Sequence, residues 1–150
     1  MNEMSILRSL DHPGIMKLLE VHETMLSVFL VMELLEGGEL FDLLDDKTCY
    51  SESYCARMLR QIIEPLAYLH SRRIMHRDIK PENLILRSKK DFDIVIADFG
   101  LAQDLNKKII HYRCGTPGYC APEIIESKGQ QLKYDQKCDI FSVGCIFYYL

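Results

Sequence analysis

The chain has 150 residues, 48% of them hydrophobic and 27% charged, enough for one ordinary core and without the compositional marks of disorder, collagen or a disulfide scaffold. A net charge of −4 and a pI near 5.7 leave no general footprint for nucleic acid, and the pairs Arg72-Arg73, Lys89-Lys90 and Lys107-Lys108 read as solvated loop charges. The six cysteines include no C-x-x-C pair, which favours reduced thiols in an intracellular, cytoplasmic protein over a zinc site. No secretory signal is visible at the start, and the longest apolar run, Ile140 to Leu150, is too short to span a bilayer, so no membrane partner is expected.

Residues 1–10 read as a helix with Met4, Ile6, Leu7 and Leu10 on one face and Glu3 on another. No capping residue precedes Met1, so the chain is expected to start inside an element; Asp11-His12-Pro13-Gly14 is a stop. Two strand-like runs, 15–22 and 27–34, predict an antiparallel hairpin about Glu23-Thr24, with Met32 in the core. Glu36-Gly37-Gly38-Glu39 breaks that pattern and marks a domain boundary, after which Leu40, Phe41, Leu43 and Leu44 start a short amphipathic helix. Glu39 by itself is an acid favoured near a helix start.

The longest periodic stretch, Ser51 to about Arg72, carries Cys55, Met58, Leu59, Ile62, Ile63, Leu66 and Leu69 at three- and four-residue steps, with Ser51 as cap. Pro65 inside it costs a backbone donor and predicts a kink or solvent-side bend near Gln61 to Pro65.

That helix leads into His76-Arg77-Asp78-Ile79-Lys80-Pro81-Glu82-Asn83, which sets a carboxylate, an ammonium and an amide on one proline-stiffened turn. Such groups suit phosphoryl transfer: an aspartate accepts a hydroxyl proton, a lysine neutralises phosphate charge, and an asparagine oxygen holds a divalent cation. Residues 84–86 and 93–97 read as short strands joined by a charged turn, bringing Asn83 and Asp98 to neighbouring strand ends, with Asp98-Phe99-Gly100 adding a second acidic ligand. Residues 101–112 are irregular and polar, as expected of a mobile loop. After Ala121-Pro122-Glu123, the stretch from Tyr134 to Leu150 reads as a nearly all-apolar helix capped by Asp135.

The ordered set HRD-x-K-x-x-N, DFG and APE resembles the signature set of eukaryotic protein kinases, and with Gly115-Thr116-Pro117-Gly118-Tyr119 and the wording of residues 36–42 it looks most like the calcium/calmodulin-regulated serine/threonine group. The resemblance implies an α+β, two-lobed kinase fold, here truncated: residues 1–35 a small-lobe remnant with the hinge, residues 36–150 a partial large lobe. It implies ATP and Mg2+ as cofactors, protein Ser/Thr acceptors as partners, and a catalytic set of Asp78 as base, Lys80, Asn83 and Thr116. Asn83 and Asp98 would hold the metal. Met32 would be the gatekeeper, the backbone of Glu33 and Leu35 would meet adenine, Ile85 would line the nucleotide site, and Glu39 would contact ribose. Glu3 would match the αC glutamate whose strand lysine, like the glycine-rich loop, is not in this chain.

The same resemblance gives the remaining residues supporting parts. His76 would pack in a spine with Phe99, Leu7 and Leu18; Arg77 would meet a phosphorylated loop residue, its alternative being a surface arginine; Asp139 would tie the last helix to the catalytic loop. Gly100 and Glu123 complete the DFG and APE motifs. Glu39 and Glu82 imply a preference for arginine upstream of the acceptor. The usual phosphorylated threonine position is occupied by Tyr112, so either Tyr112 is modified or the loop orders without phosphate. The rival reading is a catalytically inactive kinase-like binding module.

Overall fold

The computed structural model describes residues 2–40, 42, 50–89, 92–107, 113–125 and 134–148. Helix α1 (Asn2–Leu7) is shorter than the predicted 1–10 helix. Ser9 turns its hydroxyl back onto the Ile6 carbonyl at 2.7 Å, the local competition by which serine ends helices, and Leu10 N closes a tighter turn on Leu7. Ile6 and Leu7 are buried, as the apolar face requires.

Strands β1 (Leu18–Glu23) and β2 (Val28–Met32) form the expected antiparallel hairpin, with Val21 opposite Leu30 and an irregularity between Leu18 and Glu20. Thr24 builds the turn: its hydroxyl donates to Ser27 O and accepts from Ser27 N. The hairpin is thinly covered, with Leu19, Val28, Phe29 and Val31 between 40% and 57% exposed. Met32, read from sequence as core, is 41% exposed because its strand carries no second layer there.

Helix α2 (Glu52–Ser71) matches its predicted span, and Ser51 accepts from Tyr54 N through its side chain. Met58, Ile62, Leu66 and Leu69 form the buried stripe that the spacing dictates. Pro65, where a kink or solvent-side bend is expected, lies inside the helix and is buried. The helix runs unbroken through it, and its ring is buried against Gly14, where an added Cβ would lie 2.9 Å from Pro65 Cγ. The side-chain-free Gly14 makes room for the ring, so the proline is a packing residue on the inner face.

Past α2, Arg73 (φ 60°) turns the chain into β3 (Ile74–Met75), which pairs antiparallel with β6 (Gln103–Asp104). A 3-10 turn (Pro81–Asn83) feeds β4 (Leu84–Leu86), antiparallel to β5 (Ile94–Ile96) with Leu84 opposite Ile96; the two strands lie where strands are predicted at 84–86 and 93–97. The segment after β2 is fastened to this pair: Gly37 N donates to Leu86 O and Leu86 N to Gly38 O. Leu40 and Asp42 are helical; the other positions of that predicted helix, Phe41, Leu43 and Leu44, lie outside the described residues.

Helices α3 (Pro122–Ile125) and α4 (Lys137–Tyr148) complete the described elements. The carboxylate of Asp135 accepts from Lys137 N at 2.9 Å, so it caps as expected, although regular helix begins after Tyr134. The main core packs the α2 stripe against β4, β5, α1 and the Val143–Ile146 face of α4; a second cluster joins Met75, Ala121, Ile124, Tyr134 and Cys138. No helix among the described residues is long and apolar enough to cross a membrane.

Candidate functional site

The loop between β3 and the 3-10 turn is held from below by one carboxylate. Asp139 of α4 is fully buried and accepts from His76 N at 2.9 Å, Arg77 N at 2.7 Å and the His70 imidazole at 2.8 Å. Arg77 adopts φ 70°, a left-handed conformation that costs a non-glycine residue energy and persists only where the surroundings impose it. The pair of amides on Asp139 does so here, and it fixes the turn that presents Asp78, which is 8% exposed.

Asp78 is the hub. Its Oδ1 accepts from the Thr116 hydroxyl at 2.7 Å, while Oδ2 meets Lys80 Nζ at 3.1 Å and Asn83 Nδ2 at 3.2 Å. Lys80 Nζ also donates to Thr116 Oγ1 at 3.0 Å, so carboxylate, ammonium and hydroxyl close a triangle across residues distant in sequence. Burial pushes the Asp78 carboxyl up, but the hydrogen bonds from Thr116 and Lys80 and the Lys80 charge outweigh it, and the net displacement is downward. The result is a carboxylate that stays ionised at neutral pH and keeps an acceptor oxygen near a cation.

Asn83 spends its Nδ2 on Asp78, donating also to the Asp78 carbonyl at 2.8 Å, which leaves Oδ1 as the atom it can offer outward. Ala97 N donates to Asn83 O at 2.9 Å and zips the ends of β4 and β5 together, so Asn83 and Asp98 emerge side by side. Asp98 is exposed, has φ 56°, and accepts from Gly100 N at 3.1 Å. Two oxygen donors of this kind fit a hard divalent cation, and among the described residues no group of three His, Cys, Asp or Glu side chains could hold a metal alone.

Behind this edge, Phe99 is buried with its ring edge-on to His76 at 4.9 Å, and Leu7 and Leu18 belong to the same core. Glu3 sits above the turn, its Oε2 4.0 Å from where a Cβ on Gly100 would be. Burial first, and the Asp98 charge second, push its carboxyl up. Glu33 commits its N–H to Lys17 O and its carboxylate to Arg87 Nη1 at 2.7 Å, so only its carbonyl remains for a ligand on the far side. Glu39 pairs with Ile85 in an isolated bridge beside β4, Leu35 is half-buried near them in the chain, and Glu82 and Glu123 are exposed.

Arg77 departs from the surface alternative: it is 4% exposed, with Nε on the Leu101 carbonyl at 2.7 Å and Nη1 on the Tyr134 hydroxyl at 2.9 Å. Tyr112 lies outside the described residues. Sequence reasoning missed Tyr134, His70 and Arg87. His70 could have been suspected as a polar residue at the end of an apolar helix, whereas nothing local marks Tyr134 or Arg87. A cavity of about 300 Å³ lined by His12, Gln61, Glu64, Arg87 and neighbouring residues includes none of the predicted site residues.

The family model for the protein kinase domain matches residues 1–150. Among curated proteins the chain is 43% identical to myosin light chain kinase A of Dictyostelium discoideum, over 99% of this chain and 50% of that protein. It is 42% identical to calcium/calmodulin-dependent protein kinase type 1 of Macrobrachium nipponense and 45% identical to the human type IV enzyme, over 99% of this chain and 42% and 31% of theirs. The chain thus spans half or less of the length of these relatives.

Proposed function

The chain belongs to the protein kinase domain family, and from that premise we propose that it carries the catalytic centre of an ATP-dependent serine/threonine kinase acting on protein substrates. The observation that carries the proposal is the Asp78–Thr116–Lys80 triangle. Asp78 accepts the proton of the incoming hydroxyl, Lys80 offsets charge on the transferred group, and Thr116 holds both in place. Asn83 and Asp98 are the residues that would hold Mg2+, which when bound neutralises phosphate charge. The Glu33 carbonyl, Leu35, Met32 and Ile85 are the proposed adenine surroundings, Glu39 the ribose contact, and Glu3 the partner of a lysine supplied from outside residues 1–150.

Residues 1–35 are proposed as small-lobe material with the hinge and residues 36–150 as large-lobe material. Glu39 and Glu82, both exposed acids, support a preference for arginine upstream of the acceptor. The free cysteines fit an intracellular, cytoplasmic setting.

The test is transfer of labelled γ-phosphate from Mg-ATP to an arginine-containing serine peptide. It is run on this chain and on a version extended upstream by a G-x-G-x-x-G strand and a strand lysine. We expect transfer in the extended form and a loss of about 10²- to 10⁴-fold in Asp78→Asn. A folded, extended form with no transfer would instead establish the inactive binding module, a reading that the like-charged pair Glu3 and Asp98 keeps in play.

A further inference from the structure

Two thiols flank the Thr116 loop. Cys114 and Cys120 are both half-buried, and Cys120 Sγ lies 3.3 Å from the Cys114 carbonyl oxygen. The intervening chain folds back on itself, with Tyr119 N and Cys120 N both donating to Thr116 O at 3.1 Å. The Cys114 C=O and Cα–C bonds together add at most about 2.7 Å, so Cys120 Sγ is within about 6 Å of Cys114 Cα, close enough that rotation of both side chains together with a shift of this loop brings the sulfurs to bonding distance. Cys114 Sγ rests 3.8 Å from the Tyr134 hydroxyl, a contact weak enough to give up.

We propose that Cys114 and Cys120 are a reversible oxidation site, forming an intraloop disulfide with hydrogen peroxide as oxidant. The Cys114 thiolate attacks a peroxide oxygen, breaking the O–O bond and releasing hydroxide, which leaves as water once protonated; the sulfur becomes a sulfenic acid. Cys120 then attacks that sulfur, losing its proton and expelling a second water. In total two S–H bonds and one O–O bond break, one S–S bond forms, and peroxide is reduced to two waters. Burial pushes the Cys120 thiol up, with the neighbouring Cys114 adding to it, which suits Cys120 to the resolving step and leaves the first attack to Cys114.

The site matters because of what the loop holds. Gly115 has φ 108°, and a Cβ there would lie 3.0 Å from the Arg77 carbonyl, so the loop is already seated tightly against the turn that presents Asp78. Drawing its two ends together moves Thr116 off Asp78 and Lys80. On the kinase reading above, transfer falls several-fold on oxidation and returns with dithiothreitol.

The experiment reads mass first, independently of activity. The purified chain is exposed to hydrogen peroxide, alkylated and cut with trypsin, which releases residues 114–128 as one peptide. We expect that peptide to lose two hydrogens and resist alkylation, to regain both thiols after reduction, and in Cys120→Ser to hold a dimedone-reactive sulfenic acid at Cys114. Two alkylated thiols after peroxide, or a bond from either cysteine to another, would overturn the proposal. Intact disulfide chemistry without peptide phosphorylation in the reduced, extended form would leave the oxidation site standing and remove only the kinase reading.

Discussion

His76 shows how much chemistry a single buried ring settles. Its Nε2 lies 2.9 Å from Ala97 O and must donate, while Nδ1 accepts from Asp78 N at 3.3 Å and must be unprotonated, so the imidazole is neutral. Complete burial holds it well below the usual histidine range, against the opposing pull of the Asp139 charge. Below about 6.5, the ordinary histidine value, the unfolded chain binds a proton that the folded chain refuses. Stability from this ring is therefore full above that pH and is lost as pH falls from there toward the folded value. Urea midpoints should drop between pH 7.5 and 5.5, and His76→Phe should flatten that slope. Asp78 works in a separate window, since its depressed carboxyl gives up its contribution only on acidification below about 3.8, the ordinary aspartate value. Thr116→Ala leaves Asp78 and Lys80 paired but unaligned, so in the peptide assay kcat should fall about 10-fold, for one hydrogen bond of about 1.5 kcal/mol to a charged group, with KM for ATP little changed. Asp78 and Lys80 were legible because their types and spacing suit phosphoryl transfer, whereas the parts of His76 and Thr116 were implied only by the resemblance to kinases. Tyr134 was not legible, because a tyrosine flanked by Lys133 and Asp135 looks the same whether its hydroxyl meets water or, as here, Arg77.

Elements were legible wherever one period ran long enough. α2 declares itself by its stripe and its serine cap, and Ser51→Ala should cost about 1 kcal/mol and lower Tm by about 2–4 °C in a thermal melt. The short strands at 84–86 and 94–96 were found because both are unbroken apolar runs between turn residues. The packing of Pro65 is something the sequence cannot display: the void that accepts its ring belongs to Gly14, far away along the chain. Gly37 has the same dependence on a distant partner. An added Cβ there would collide with the Cβ and carbonyl of Leu86, so Gly37→Ala should destabilise by about 1–3 kcal/mol, more than the exposed cap, and weaken nucleotide binding measured by titration.

At the scale of the molecule, the described surface is unevenly covered. The hairpin exposes Leu19, Val28 and Phe29, and α4 exposes Ile140, Phe141, Phe147 and Tyr148. Apolar area of this kind favours self-association, so the isolated 150 residues should bind a hydrophobic dye and elute larger than a monomer on size exclusion; a sharp, cooperative melt of a monomer would contradict this. The apolar runs of the sequence lead one to expect both the hairpin edge and the face from Ile140 to Leu150 to lack cover. Asp139 has a further consequence. The amide protons of His76 and Arg77 are shielded by a side chain from α4, not by a strand ladder, so in deuterium oxide they exchange only when that helix lifts from the loop. Their isotope uptake is thus a clock for helix undocking: in Asp139→Ala it should become fast while the amides of β4 and β5 remain slow.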